Sequence, residues 1–422
     1  MSSSPARRWT IVLAGALALW LAAAATASEP VQVEFWTMSL KPKFTPYFEA
    51  LVRRYEAQNP GVRLEWVDVP WDVLQTKLTA AIAGGSAPAL AQMNVPWAYD
   101  YARDGAIRPV GDLMGDGRSM YTDGALQDVT FLGHVYGFPH YNSVNVLTYN
   151  RTLFAQAGIE HAPATFLDQL EVAKQIKQRT GQAGFSPALG KIAGIFLEEG
   201  LPLVEGGRAV FNSPRHVAFL ARLADAYKAG GLLKDKLFSE DNFPASIDAY
   251  KAGRLAMMVA PPAALLRVRD DAPDVYALSD VAPAPVGAAG IVAGGWLFHF
   301  AMPRGIQGRQ AQEAARFALY LTDAENQLAF SRLAGTFPTA KAAVQDPYFQ
   351  SLPVADPFSK AVATGASRMG SVRTLYVAGI PGFEQLNKRL QDAVEGAVIG
   401  RRNIQEALDA AAAYWNRRLG AP

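Results

Sequence analysis

The chain has 422 residues, half of them apolar and 18% charged, with no cysteine. That length exceeds one hydrophobic core and suits two domains, the composition excludes disorder, and the missing thiols exclude disulfides, thiolate metal sites and a lipidated cysteine. Lys and Arg total 40 against 38 Asp and Glu, a balance without the basic bias that nucleic acid or an anionic membrane would require.

The first 27 residues read as a secretory signal. Arg7 and Arg8 precede an apolar core from Trp9 to Leu21, and Ala25-Thr26-Ala27 is a cleavage site before Ser28. The apolar run is at the short end for a spanning helix, and the paired arginines are a faint mark of twin-arginine export. The leader carries two Arg and no acid, so the processed chain has 38 residues of each sign. Without a cysteine after the signal, a free periplasmic protein is expected rather than a lipoprotein.

Val31 to Trp36 alternates as a first strand, and Thr37 to Pro46 is a polar loop. Phe48, Leu51, Val52 and Tyr55 have helical spacing, stopped by Asn59-Pro60-Gly61. Val62, Leu64 and Trp66 form a second strand. A helix with Leu74, Leu78, Ala81 and Ile82 inward ends at Gly84-Gly85, and Leu90 to Asn94 is a third strand. This rhythm predicts a mostly parallel sheet with helices on its faces. Val135 to Phe138 and Val144 to Thr148 read as two strands with a polar crossing, Pro139 to Ser143, between them. Helices are predicted from Thr152 to Gln156, from Thr165 to Gln178 and from the Asn212-Ser213-Pro214 start to Gly230-Gly231. Lys191 to Gly207 carries no decisive pattern. Ile247 to Gly253 reads as helix and Leu255 to Val259 as strand. Ala282 to Gly287 reads as a linker, and Gly294-Gly295 feeds a strand through Phe300. Two helices flank Thr322-Asp323 and end at Gly335 to Thr339. The tail holds helices from Phe383 to Ile399 and Ile404 to Leu419.

Several motifs recur in a known order. The first strand ends Phe35-Trp36, a helix ends Asn59-Pro60-Gly61, and another ends Ala83-Gly84-Gly85 before Ala87-Pro88, with Ala89 where an Asp is usual. Tyr136-Gly137-Phe138-Pro139, Tyr149-Asn150, Leu153-Phe154 and Ala157-Gly158-Ile159 follow. Gly335, Phe337-Pro338, Lys341-Ala342-Ala343, Ile380-Pro381, Gly400 and Ala407-Leu408 close the series. In this order over nearly the whole processed chain, the sequence resembles the extracellular solute-binding proteins (family 1) of bacterial ABC importers, in the maltose-binding and glycerol-3-phosphate-binding branch. The resemblance implies an α/β, two-lobed periplasmic binding protein fold of type II, with several crossings between lobes that close on a ligand. It places residues 28–140 and 289–338 in an N-terminal lobe and 141–288 and 339–422 in a C-terminal lobe, with crossings near His140, Ala288 and Thr339.

Catalytic signals are missing. There is no Gly-x-Ser-x-Gly, His-Glu-x-x-His, phosphate loop or Gly-x-Gly-x-x-Gly, and the five histidines never approach metal-ligand spacing. No cofactor and no metal is expected. The pairs Glu198-Glu199 and Asp270-Asp271 read as solvated loop charges. What remains is aromatic and polar residues at strand ends and crossings, where ligands sit in open α/β sheets. Sugars take flat apolar platforms and a few planar donors and acceptors. Trp36 and Trp71 suit the platform, with Trp97 at a helix start. Ser39, Asp72, His140, Asn142 and Ser143 suit hydroxyls. Gly294 and Gly295 let backbone approach a ligand; Trp296 follows them, toward the ligand or toward the core, and Tyr376 is a further candidate. Arg373 looks like the arginine that the glycerol-3-phosphate branch sets before its Pro turn, and a guanidinium suits phosphate.

The expectation is a monomeric, non-enzymatic binding protein that captures a di- or oligosaccharide and delivers it to the transmembrane subunits of an ABC permease. Glycerol-3-phosphate or a glycerophosphodiester is the alternative ligand, and the neutral sugar is placed first because only Arg373 suits a phosphate. A secreted glycan hydrolase is the competing class; it needs a carboxylate pair about 5–10 Å apart, and none stands out at strand ends.

Overall fold

A computed structural model describes residues 29–290, 296–349, 351–369, 380 and 382–420. The chain forms two compact units, Met1–Ala91 with Met302–Ala318, and Gln92–Ala301 with Leu319–Pro422.

In the first unit, β1 (Val31–Met38) leads through α1 (Thr45–Gln58) to β2 (Val62–Val69), and α2 (Trp71–Ala83) leads on to β3 (Leu90–Asn94), which runs into the second unit. β1 and β2 pair in parallel from Val31↔Val62 to Met38↔Val69, and β1 meets β3 in parallel at Phe35↔Leu90 and Trp36↔Ala91. The parallel rhythm expected from the sequence is present here. α1 buries Phe48, Leu51 and Tyr55, the i, i+3, i+7 stripe. Phe317 lies edge-on to Phe35 at 4.8 Å and to Tyr55 at 5.1 Å, closing the core.

The second unit continues with α3 (Val95–Arg103), β4 (Gly137–Ser143), β5 (Val146–Asn150), α4 (Phe166–Thr180), α5 (Ile192–Glu198) and α6 (Pro214–Lys228). β6 (Met257–Ala260), β7 (Ser279–Pro283), β8 (Trp296–Pro303), β9 (Phe337–Pro338), α7 (Phe383–Val398) and α8 (Ile404–Leu419) follow. β4 lies between β8 and β9, antiparallel to both. β5 is the middle of an antiparallel trio with β6 and β7. One core packs α4 to α8 against this trio, with Leu147, Leu170, Phe196, Leu220, Leu390 and Trp415 inside. The Trp415 indole N–H donates to the Leu386 carbonyl at 2.7 Å, which locks α8 onto α7.

Three expectations need correction. Pro139 to Ser143 is strand, and the break falls at Val144-Asn145. Pro139 has no N–H to donate, but it faces His299 where β8 shifts register between Phe298 and His299, so the bulge absorbs the missing bond. The linker read from Ala282 starts later, since β7 pairs with β5 through Pro283↔Val146. The unpatterned stretch from Lys191 contains α5, whose apolar face holds Ile192, Ile195 and Phe196.

Candidate functional site

The first unit holds four of the candidate residues. Ser39 follows β1 with a φ of 52°, and its Oγ accepts the Trp71 N–H at 3.0 Å, satisfying one of the open donors at the start of α2. Asp72 is exposed in the first turn of α2, where a carboxylate complements the helix dipole. Ser39, Trp71 and Asp72 thus gather at one helix N-terminus. Asp68 shapes the approach: its carboxylate accepts from Thr37 Oγ1 at 2.6 Å and from the backbone N–H groups of Leu40 and Lys41. Trp36 is 4% exposed. Its indole N–H donates to Glu34 at 2.5 Å, and the Lys77 ammonium stands 4.6 Å from its ring centroid. The exposed face expected of a sugar platform is therefore covered.

In the second unit, Asn142 and Ser143 close β4 and pair with Leu297 and Trp296 of β8. Trp296 is half-buried. Trp97 lies in the first turn of α3, where its N–H donates to the capping Asn94 Oδ1 at 3.0 Å. His140 has no accessible surface. Its ring stacks on Phe330 with centroids 5.5 Å apart, and Nδ1 lies 3.1 Å from Gln92 Nε2. Burial pushes the imidazole down to about 3, so it stays neutral. Gly294, Gly295, Arg373 and Tyr376 lie outside the described residues.

The structure adds three residues that the sequence reading did not place there. The Lys191 ammonium rests 4.9 Å from the Trp296 ring centroid, a cation–π distance. Lys191 is exposed, yet surrounding protein desolvates it enough to lower its pKa despite the opposing pull of Asp241, Glu240 and Glu198. Glu198 and Glu199, expected to be solvated, are not. The apolar face of α5 draws its C-terminal end inward, and Glu199 is 6% exposed. Burial, then the neighbouring Glu199 charge, pushes Glu198 up to about 7, while Lys191 pulls the other way. The Ala288 N–H donates to Glu199, whose pKa burial also raises, and Glu199 Oε1 has no hydrogen-bond partner. Gly287 is required beside them, because a Cβ there would lie 2.2 Å from the Glu198 carbonyl oxygen. The second Asp pair, Asp270-Asp271, is exposed as expected. The overlooked signal is the pair of acids directly ending an apolar run, which cannot reach solvent if the run is core.

Trp296 and Lys191 bring an aromatic face and a cation together, with Glu198 close enough to feel the Lys191 charge, an arrangement that suits a polar solute. Among the described residues no group of three or more His, Cys, Asp or Glu side chains could hold a metal ion.

Comparison with known proteins supplies the wider setting. The family model for bacterial extracellular solute-binding proteins matches residues 50–357. An sn-glycerol-3-phosphate-binding periplasmic protein of Escherichia coli is 26% identical over 444 residues, covering 96% of each chain. A Synechococcus sp. MITs9220 protein, provisionally assigned to oligosaccharide binding in the periplasm, superposes with a TM-score of 0.80 and 27% identity over 92% of this chain and 99% of its own. A Mycobacterium tuberculosis protein solved with glycerophosphocholine superposes with a TM-score of 0.74 and 18% identity over 93% and 99%, a likeness of fold alone. The architecture is the two-lobed α/β fold of the periplasmic binding proteins.

Proposed function

Because the chain belongs to the bacterial extracellular solute-binding protein family, we propose that it captures a carbohydrate, a di- or oligosaccharide, at Trp296 and delivers it to the permease of an ABC importer. The observation that carries this reading is the half-buried Trp296 ring with Lys191 on its face. A sugar stacks its C–H face on such a ring and offers hydroxyls to the polar groups around it. Ser143 lies directly across from Trp296 on the paired strand, with Asn142 next to it. Ser39, Trp71 and Asp72 are a second candidate contact in their own unit. The lobe boundaries read from the sequence, with crossings near His140, Ala288 and Thr339, belong to the same proposal. So do export by residues 1–27 and a free periplasmic, monomeric state without catalysis. Glycerol-3-phosphate or a glycerophosphodiester is the second reading, favoured by the Escherichia coli relative.

A thermal-shift screen of saccharides and glycerol phosphates tests capture, because a ligand bound only by the folded state raises Tm by mass action. Trp296→Ala should weaken the binding of a hit by about 1–3 kcal/mol, the scale of a ring stacked on an aromatic side chain. Unchanged affinity in that variant would remove Trp296 from the site.

A further inference from the structure

Lys191 sets a cation on the Trp296 face, and its ammonium has no hydrogen-bond or ion-pair partner among the described residues. The acids that feel its charge are otherwise engaged. Glu240 accepts from Gln391 Nε2 at 2.8 Å, and Asp241 accepts the Phe243 N–H at 3.1 Å. Glu198, at the end of α5, feels the charges of Glu199 and Lys191 and makes no salt bridge among the described residues. The exposed Lys191 ammonium therefore keeps donors open to a solute. A sugar that stacks on the ring face under Lys191 takes the place its ammonium now occupies.

We propose that Lys191 and Glu198 select a solute bearing an anionic oxygen group, with the Lys191 ammonium leaving the ring as the solute stacks and pairing with the anion. Glu198 then completes the contact as a hydrogen-bond donor. The 2 groups are suited to the task because burial already favours the neutral, proton-carrying carboxyl and because an anion beside it favours that form further. Binding should therefore take up a proton near pH 7 and weaken as pH rises above it. Lys191 feels Asp241 and Glu240 from the segment just before the Phe243–Lys251 helix, and Glu198 from the far end of α5. Glu198 feels Glu199 and Lys191. The inference rests on capture at Trp296. The chemistry is common to phosphate esters and acidic sugars.

The test uses the full chain with three probes: glycerol 3-phosphate, a disaccharide ending in glucuronic acid, and maltose. Thermal shift is followed by calorimetry in buffers of different ionisation enthalpy at pH 6 and pH 8. At least one acidic probe should bind about tenfold or more tighter than maltose, with proton uptake. Which acidic probe wins distinguishes a phosphate ester from a uronate. Lys191→Gln should erase the preference, and Lys191→Arg should keep it. Maltose binding as tightly as both acids, or an acid preference unchanged in Lys191→Gln, overturns the inference and leaves capture intact. No shift with any probe, nor with a wider panel of neutral and acidic saccharides and phosphate esters, overturns capture as well.

Discussion

Gly137 shows how far a single residue was legible. The Tyr136-Gly137-Phe138-Pro139 motif marked the position, but the reason for glycine is tertiary. A Cβ there would lie 2.0 Å from His299 Cδ2, on a ring with no accessible surface. Gly137→Ala is expected to destabilise the fold by about 1–3 kcal/mol through overpacking. Urea unfolding measures it, and His299→Ala in the same chain should recover part of the loss, since residues in contact couple. Additive losses would show that the two do not press on each other. Trp296 was legible because an aromatic residue after a glycine pair at a strand start is conspicuous. Lys191 and Glu198 were not, because the ring over which Lys191 lies and the burial that desolvates Glu198 come from tertiary packing, not from local pattern. His140 was misjudged for the same reason: a polar residue after proline looks exposed, yet alternation along β4 turns its ring toward Phe300 and Phe330.

Elements with strong periodicity or caps were read well. The stripe of α1, the Asn212-Ser213-Pro214 start of α6 and the two C-terminal helices are present with small boundary shifts. Asn150 gives a quantitative handle on one cap. Its Oδ1 accepts the N–H groups of Thr152 and Leu153 at 3.0 and 3.2 Å, starting the Arg151–Ala157 helix directly after β5. Asn150→Ala should cost about 1 kcal/mol of stability, read as a lower urea midpoint with an unchanged slope. An unaltered midpoint would mean the helix start is held by packing alone. The β4 boundary was missed because proline normally ends pairing, and the bulge that accommodates it at His299 leaves no mark in the sequence.

At the scale of the molecule, the sequence pattern supported two domains and a parallel opening sheet, while antiparallel pairing of β4 with β8 depends on contacts about 150 residues apart, which no local periodicity encodes. Stability against pH follows from buried titratable groups. Burial holds His140 and His299 down to about 3 and His216 to about 4. The unfolded chain binds protons to these histidines below about pH 6.5 and the folded chain does not, so their contribution is full above that pH and lost as it falls. Each of the two fully buried rings should remove on the order of 2 kcal/mol between pH 6.5 and 5. Glu198 acts in the opposite sense, since its raised pKa makes the folded state lose stability as pH rises from its ordinary value, 4.5, to about 7. Three histidines outweigh it, so Tm should fall from pH 6.5 to pH 5; a flat or rising Tm over that interval would contradict the buried, neutral rings.

Capture of a solute on the Trp296 face is most directly tested by calorimetric titration of the wild type and Trp296→Ala. The titrant is whichever of maltose, glycerol 3-phosphate or the glucuronate-ended disaccharide raises the Tm most. Saturable one-to-one binding is expected in the wild type, about tenfold or more weaker in the variant, in keeping with the loss of one stacked ring. Equal affinity in the two proteins would contradict a solute site at Trp296.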